Sequence, residues 1–324
     1  MDVFDGLPDP IVVDILNKVG DVRTLLRCSS LSKRFNSLIP QSESLFLRLH
    51  HQTSESHSDS PVVVGNIFQS LFKSFHGLIS LFSKPAKPIQ TTNLSPNIPS
   101  KILSRFDRIK NLEVELPAGD VKLEKGAAVK WKAEFGKTLK SCVVVAFQSA
   151  ATVSSSSSGD ESDAEFVAGL KTRVVWTISA LMAASTRHYL MSEVVKEHEE
   201  MESLVVRDGG GEGTVVMESK GLREFRKTEE EARGEDEEEK RVVKNRRSVV
   251  PSVRMSMRHA PSLKLKSGIC LESATLVVVR PNEDYSDVGD DELATEAFAG
   301  DCMYGEAVVA LLKRKKNPLE MNSF

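Results

Sequence analysis

The amino-acid sequence predicts an α/β (α+β) fold, in which a short helical N-terminal segment precedes a larger body of strands and helices. Three observations predict it. Apolar residues recur at helical spacing within the first 49 residues, period-two alternation and short apolar runs indicate strands further along, and helical spacing returns after them. The chain has 324 residues, enough for about two domains of ~150 residues each.

The composition excludes several classes of protein. The 43 Lys and Arg residues against 46 Asp and Glu give a formal net charge of −3, so the chain as a whole is not a polycation built for nucleic acid. No stretch reaches the ~18 apolar residues that a membrane-spanning helix needs, and the N-terminus has no secretory pattern. We therefore expect a protein of the cytoplasm, the nucleus or both, with neither a membrane span nor a nucleic-acid partner.

No motif for a metal, a cofactor or catalysis is found. The cysteines are too widely spaced for a zinc or redox site, so each is expected to be reduced and buried. The glycines of Gly209–Gly213 lack the spacing of a phosphate-binding loop, and the carboxylates cluster in acidic runs without a pattern that suggests a cleft. The four cysteines are Cys28, Cys142, Cys270 and Cys302.

The first 49 residues predict three short helices. Pro8 and Asp9 are typical of a first helical turn, and Gly20 is typical of a helix end. Asp21 is a cap for the second helix, and either Ser30 or Ser32 is a cap for the third. Because three short helices bury little surface, such a module normally completes its core against a partner.

The body carries strand patterns and helix patterns. Strands are predicted from alternation at Asn111–Leu116 and Val129–Phe135 and from apolar runs at Cys142–Phe147 and Leu276–Val279. Helices are predicted within Lys171–His198 and over Glu306–Lys315. The inward stripe of the first of these helices is expected to comprise Ile178, Leu181, Met182, Ser185 and Tyr189, and that of the second Val308, Leu311 and Leu312.

An approximate repeat leaves a second architecture open for the body. The strand centres Leu112, Val143 and Leu204 are separated by multiples of about 30 residues, but the gap to Leu276 breaks the period. A degenerate leucine-rich-repeat-like stack is therefore an alternative form of the α/β body.

Polar and charged segments divide the chain. Residues 50–61 read as a linker between the first 49 residues and a body of residues 62–324. A serine run predicts a disordered insert near 152–165, and an acidic block followed by a basic one predicts a second near 227–247.

Three further segments allow two interpretations each. The apolar stripe of Ile67–Phe82 favours packing onto the body over a membrane-surface anchor, because it carries little positive charge. The basic run Lys240–Lys266 favours a solvated loop over a nucleic-acid patch, because no aromatic residues interleave with it. The run Lys313–Lys316 fits either the basic end of a helix or a nuclear-import signal.

The first 49 residues contain an ordered set of motif positions: Leu7-Pro8, Ile11, Ile15-Leu16, Asp21, Leu25, Cys28 and Leu31 to Leu38. This set resembles the F-box family. The family pattern is Leu-Pro, then spaced aliphatic residues, then an aliphatic-Cys-Lys/Arg-Arg-Trp/Phe stretch, and two mild departures are Ser32 for Cys and Phe35 for Trp. The whole chain is similar to the plant F-box proteins known as auxin up-regulated F-box proteins.

The resemblance implies a substrate-recognition subunit of an SCF-type ubiquitin ligase, acting in plant auxin response. Such a subunit binds a Skp-type adaptor and through it a cullin and a RING subunit, and it presents a target protein without itself being catalytic. Target lysines are then modified because tethering raises their effective concentration. The adaptor-binding residues that it implies, shared between the module's core and its surface, are Leu7, Pro8, Ile11, Ile15, Leu16, Leu25, Leu31 and Phe35.

Two alternatives to this function stay open. The first is an α/β ligand-binding or enzymatic domain with a helical N-terminal cap and no link to ubiquitin. The second keeps the F-box but makes the body a small-molecule sensor, for which the sequence shows no ligand pocket. Target-binding surfaces depend on a few buried anchors, so composition does not locate the target surface.

Overall fold

The computed structural model describes residue 4 and residues 6–49, 97–117, 126–152, 163–233, 250–282 and 289–323, with the side chains of 152, 163–168 and 228–233 left aside. The predicted linker 50–61 and the apolar stripe of Ile67–Phe82 lie outside the described residues.

The three predicted N-terminal helices are present as α1 (Asp9–Val19), α2 (Val22–Cys28) and α3 (Lys33–Leu38). Gly20 ends α1 in the left-handed conformation, with φ at 61°. The Asp21 carboxylate caps α2 by accepting a 2.8 Å hydrogen bond from the backbone N–H of Thr24. Of the two serines that could cap α3, it is Ser32 that accepts a bond from the N–H of Phe35, at 3.1 Å.

Ten strands form one mixed sheet within the described residues. They are β1 (Ser44–Arg48), β2 (Asn111–Leu116), β3 (Ala128–Phe135), β4 (Leu139–Phe147), β5 (Ser149–Thr152), β6 (Ser203–Asp208), β7 (Gly213–Glu218), β8 (Val253–Lys264), β9 (Ile269–Pro281) and β10 (Asn317–Met321). These strands confirm the four predicted strand segments.

The strand order is β1-β2-β6-β7-β3-β4-β9-β8-β10, with β5 paired to β9. Only the pairs β1–β2, β2–β6 and β3–β7 are parallel among the described strands. The α/β prediction is confirmed, but the leucine-rich-repeat-like alternative is wrong. A repeat stack would place successive strand centres side by side in parallel, whereas β4 pairs antiparallel with β3 and β9 and is not a neighbour of β2 in the sheet.

Helices cover both faces of the sheet. A long helix, α5, contacts β3, β4 and β7 on one face, and the pair α8 and α9 contacts β8 and β9 on the other. Strand β4 is therefore buried on both sides, with Val144 in the first core and Val145 in the second. The helices of the body are α4 (Asn97–Leu103), α5 (Asp163–Leu190), α6 (Ser192–Glu197), α7 (Ser219–Arg233), α8 (Asp290–Ala297) and α9 (Cys302–Leu311).

The predicted inward stripe of α5 is wrong except for Leu181. The structure leaves Ile178, Met182, Ser185 and Tyr189 only half-buried. Two alanines, Trp176 and several polar residues lie inward in their place. The alanines let the helix approach the sheet closely, and Arg187 and His188 have buried polar partners there. The buried residues of this face are Arg173, Trp176, Thr177, Ala180, Leu181, Ala184, Arg187 and His188.

Several predicted boundaries are also corrected. Helix α9 ends at Leu311, so Leu312 is only half-buried and the basic run Lys313–Lys316 follows the helix. Much of the basic run Lys240–Lys266 is strand β8 and is not a solvated loop. Cys302 is exposed at the first position of α9, although the other three cysteines are buried or half-buried, and all four are free.

Ordered elements reach into the ranges predicted as inserts. In the range near 152–165, strand β5 extends to Thr152 and α5 begins at Asp163. The second was expected near 227–247, but α7 continues to Arg233 because its Glu, Ala and Arg residues favour helix. Residues 153–162 and 234–249 lie outside the described residues.

The N-terminal helices are joined to the body through the sheet. Strand β1 lies within the first 49 residues and pairs in parallel with β2, from Ser44 opposite Asn111 to Arg48 opposite Glu115. The Phe46 N–H also donates to the Gly20 carbonyl at 2.8 Å. The helical segment therefore shares a continuous hydrogen-bonded framework with the body.

A buried ion pair links α5 to the middle of the sheet. Arg187 Nη2 donates to Asp208 Oδ2 at 2.8 Å, and both side chains are 2% exposed. The guanidinium also lies 4.6 Å from the ring centre of Trp131, a favourable cation–π contact. Asp208 accepts the backbone N–H groups of Glu212 and Gly213, each at 2.8 Å, so its charge is well compensated.

Arg187→Met is expected to lower the free energy of unfolding by about 3–5 kcal/mol, because it leaves the Asp208 carboxylate buried without its cation. Denaturant unfolding measures the loss. The matched control is Arg207→Met, which removes a partly exposed pair with Glu113 and should cost at most about 1 kcal/mol. Equal losses in the two variants would contradict the role given to the buried pair.

The imidazole of His188 is buried beside the same cluster. It stacks on Phe135 with ring centres 4.4 Å apart, and its Nε2 lies 3.2 Å from the Gly136 carbonyl oxygen. Burial lowers the pKa of His188 from 6.5 to about 4, although the Gly136 contact opposes the shift. Folding therefore favours the neutral ring.

As the pH falls from 6.5 to 4, the unfolded chain binds a proton at His188 that the folded chain does not, so stability falls. This group should contribute a loss of about 3 kcal/mol. Between neutral pH and pH 4, the free energy of unfolding of His188→Gln, measured in urea, is expected to fall by about 3 kcal/mol less than that of the native chain. The pKa of His259 is also lowered to about 4 by burial, but His259 is present in both proteins and cancels. Parallel stability profiles for variant and native chain would contradict the assignment.

Candidate functional site

The structure divides the eight predicted site residues into three groups. Leu16 and Leu25 are in the core, at 4% and 0% exposure, and therefore cannot contact a partner directly. Leu7, Ile15 and Phe35 are half-buried. The exposed group comprises Pro8, Ile11 and Leu31.

Helix α1 presents an apolar stripe to solvent. Ile11, Ile15 and Val19 follow one another at four-residue spacing and so lie on one face of the helix. Ile11 is 47% and Val19 45% exposed, whereas Val12 and Leu16 on the other face are buried. Val19 is missing from the predicted site, although its spacing from Ile15 would have identified it.

Leu31 is the most exposed apolar side chain of this segment. It lies in the turn between α2 and α3 and is 73% exposed. Isolated exposed leucines are common, but one that accompanies a second exposed stripe indicates a surface for another protein.

Arg34 fixes the position of the exposed N-terminal turn. Its Nε and Nη2 donate to Asp9 Oδ1 at 2.9 and 2.7 Å, and its Nη1 donates to the Phe4 carbonyl at 2.6 Å. Nη2 also bonds to the carbonyl of Leu7. One planar guanidinium therefore ties the start of α3 to the residues around Leu7 and Pro8, a geometry that lysine cannot reproduce.

An aromatic contact supports the same arrangement. The Phe4 ring lies edge-on to Phe35, with ring centres 5.3 Å apart. Phe35 thus holds the N-terminal turn against α3 and has little area left for a partner. Arg34 is absent from the predicted adaptor-binding residues, which are all apolar. Its position in the Lys33-Arg34-Phe35 run of the motif would have identified it.

The exposed surface of α1, Pro8 and Leu31 is suited to binding another protein by burial of apolar area. Its exposed groups are aliphatic side chains and Pro8. The helix caps at Asp21 and Ser32 and the hydrogen bonds of Arg34 hold the backbone that carries them. Within the described ranges, no group of three or more His, Cys, Asp or Glu residues could hold a metal ion. A search of the same ranges finds no helix that is long and apolar enough to cross a membrane.

Comparison with known proteins identifies the helical segment and the whole chain. A family model described as F-box-like matches residues 4–52. The chain is 79% identical to F-box protein AUF2 and 65% identical to F-box protein AUF1, both of Arabidopsis thaliana, with full coverage of both chains in each case. It is 35% identical to the Arabidopsis F-box protein At4g18380 over all of this chain and 94% of that relative.

No solved structure matches the chain. The full-length identities, together with the F-box-like match over α1, α2, α3 and β1, nevertheless settle the family. The chain belongs to the F-box proteins and is similar along its whole length to the auxin up-regulated F-box proteins of plants.

Proposed function

We propose that this protein is a non-catalytic substrate-recognition subunit of an SCF-type ubiquitin ligase. Its N-terminal helices bind a Skp-type adaptor, which connects it to a cullin and a RING subunit, and its α/β body binds the target protein. Family membership supports the adaptor role, since an F-box implies a Skp-type partner.

The observation that carries the proposal is the exposed apolar surface of Pro8, Ile11, Val19 and Leu31. None of these side chains belongs to the buried core, whereas Leu16 and Leu25 do. Burial of apolar area against a partner gains about 25 cal/mol per Å². A docking module needs some apolar residues to hold its own helices together and others left exposed for the partner, and the N-terminal helices have both.

The contribution to ubiquitin transfer is one of position. A target held on the body is kept near the charged conjugating enzyme, and this raises the effective concentration of its lysines without a proton or a nucleophile from this chain. The names of the relatives favour a role in plant auxin response. We place this activity in the cytoplasm, the nucleus or both.

The alternative of an independent α/β enzyme with a helical cap gains no support from the geometry. Removing residues 1–49 to test it would also remove β1, which pairs with β2 over five residues. Loss of activity after that truncation would reflect damage to the sheet. Point substitutions on the exposed surface are the sharper test.

Leu31→Glu is expected to lower affinity for a Skp-type adaptor by at least about 10-fold, because a charge would be buried in an apolar interface. The measurement is binding of purified adaptor to the full chain. The matched control is Val309→Glu on α9, where the replaced side chain is 51% exposed and lies on the opposite part of the molecule.

Both variants should unfold at the native temperature, since neither residue is in the core. Adaptor binding should survive Val309→Glu unchanged. The proposal fails if the native chain binds no adaptor, or if Leu31→Glu binds as tightly as the native chain.

A further inference from the structure

A shallow groove lies where the N-terminal helices meet the body. Its volume is about 200 Å³, with an aliphatic floor, two polar side chains and one cation from the segment after α4. The backbone N–H of Asp107 donates to the Pro40 carbonyl at 2.8 Å, which fixes that segment against the helices. The groove is lined by Leu26, Ser29, Asn36, Ile39, Pro40 and Arg105.

The groove is separate from the contact between α1 and α3. Asn36 follows Arg34 by two residues on α3 and therefore points about 200° away from it around the helix. Arg34 is bonded to Asp9, so Asn36 and the groove lie on the side of α3 that faces away from α1. Leu31, in the turn between α2 and α3, connects the two surfaces along the chain.

The segments that flank the groove are strongly basic. Residues 22–40 contain four basic and no acidic residues, and residues 101–110 contain four basic residues and one acidic. Two of these cations are paired, Arg34 with Asp9 and Lys110 with Glu43. The other six are exposed and have no ion-pair partner among the described residues: Arg23, Arg27, Lys33, Lys101, Arg105 and Arg108.

This concentration of positive charge is local, because the whole chain has a net charge of −3. Unpaired like charges repel one another, and a surface of one sign attracts and orients a partner of the other sign. The aliphatic floor of Leu26, Ile39 and Pro40 suits an apolar anchor side chain. Stacking of nucleic-acid bases needs aromatic side chains, and none lines the groove.

We propose that the basic groove binds an acidic segment of the same Skp-type adaptor that docks on the N-terminal helices. The inference rests on the proposed function and extends it, since α2 and α3, which both line the groove, are also the helices on either side of the Leu31 turn. Arg105 and Arg108 belong to the body, so this contact joins the adaptor to the body as well as to the helices. The body and any target on it are then held at a fixed angle to the ligase.

The test is the double substitution Arg105→Glu/Arg108→Glu in the full chain, with adaptor binding measured at low and at physiological salt. Affinity at low salt should fall by about 10-fold or more, mainly through slower association, and the salt dependence should weaken. Both residues are exposed, so the temperature of unfolding should not change. The control, Lys264→Glu/Lys266→Glu, makes the same charge change near the far edge of the sheet and should bind the adaptor as the native chain does.

The outcomes separate this inference from the proposed function. A native chain that binds no adaptor contradicts both. An adaptor that binds the native chain and the Arg105/Arg108 variant with equal affinity and equal salt dependence contradicts only the groove. If the substitution abolishes binding of an RNA oligonucleotide and leaves adaptor binding unchanged, the groove is a nucleic-acid site and the inference is wrong.

Discussion

The Arg187–Asp208 pair stabilises the centre of the sheet, where β7 lies between β6 and β3 and where α5 packs. Strand β7 joins one half of the sheet, β1-β2-β6, to the other, β3-β4-β9-β8-β10. Asp208 fixes the turn into β7 by accepting the Glu212 and Gly213 N–H groups, and Arg187 connects that turn to α5. A Cβ atom at position 213 would collide with the Trp131 ring, so only glycine lets β7 approach β3 this closely.

The stability of the β6-β7-β3 junction affects the exposed surface of the N-terminal helices, because β1 of that N-terminal segment belongs to the same sheet. The Leu49 N–H bonds to the Glu115 carbonyl at 2.9 Å, and Leu45 and Leu47 are buried in the core that also contains Leu16 and Leu25. The helices that carry Ile11 and Leu31 are thus anchored by shared apolar packing and by backbone pairing. A docking surface on rigid elements loses little conformational entropy when it binds.

Local features of this fold could be read from the sequence, and long-range ones could not. Alternation at Asn111–Leu116 and the Asp21 cap depend on neighbouring residues, and both are observed. The inward face of α5 does not follow from apolar spacing, because Arg187 and His188 are buried against Asp208 and Gly136, which are distant in the chain. The pairing of β2 with β6, more than eighty residues apart, leaves no periodic signal. Similarly, the sequence pattern lists Leu25 and Leu31 together, and only packing separates Leu25 in the core from Leu31 at the surface.

Continuity between the F-box helices and the body constrains how such a subunit presents a target. Proximity accelerates transfer most when the reacting groups are held in one orientation as well as near one another. A flexible joint after the F-box would keep a bound target near the ligase but would not fix its orientation. Pairing of β1 with β2 fixes the orientation of the body as well. The bond from Asp107 to Pro40 adds a second connection, between the 3₁₀ turn Ile39–Gln41 after α3 and the segment after α4. Under the proposed function, the geometry of the sheet edge therefore sets the direction in which the body presents a target, and a substitution that loosens β1 should slow ubiquitin transfer even where binding to both partners is retained.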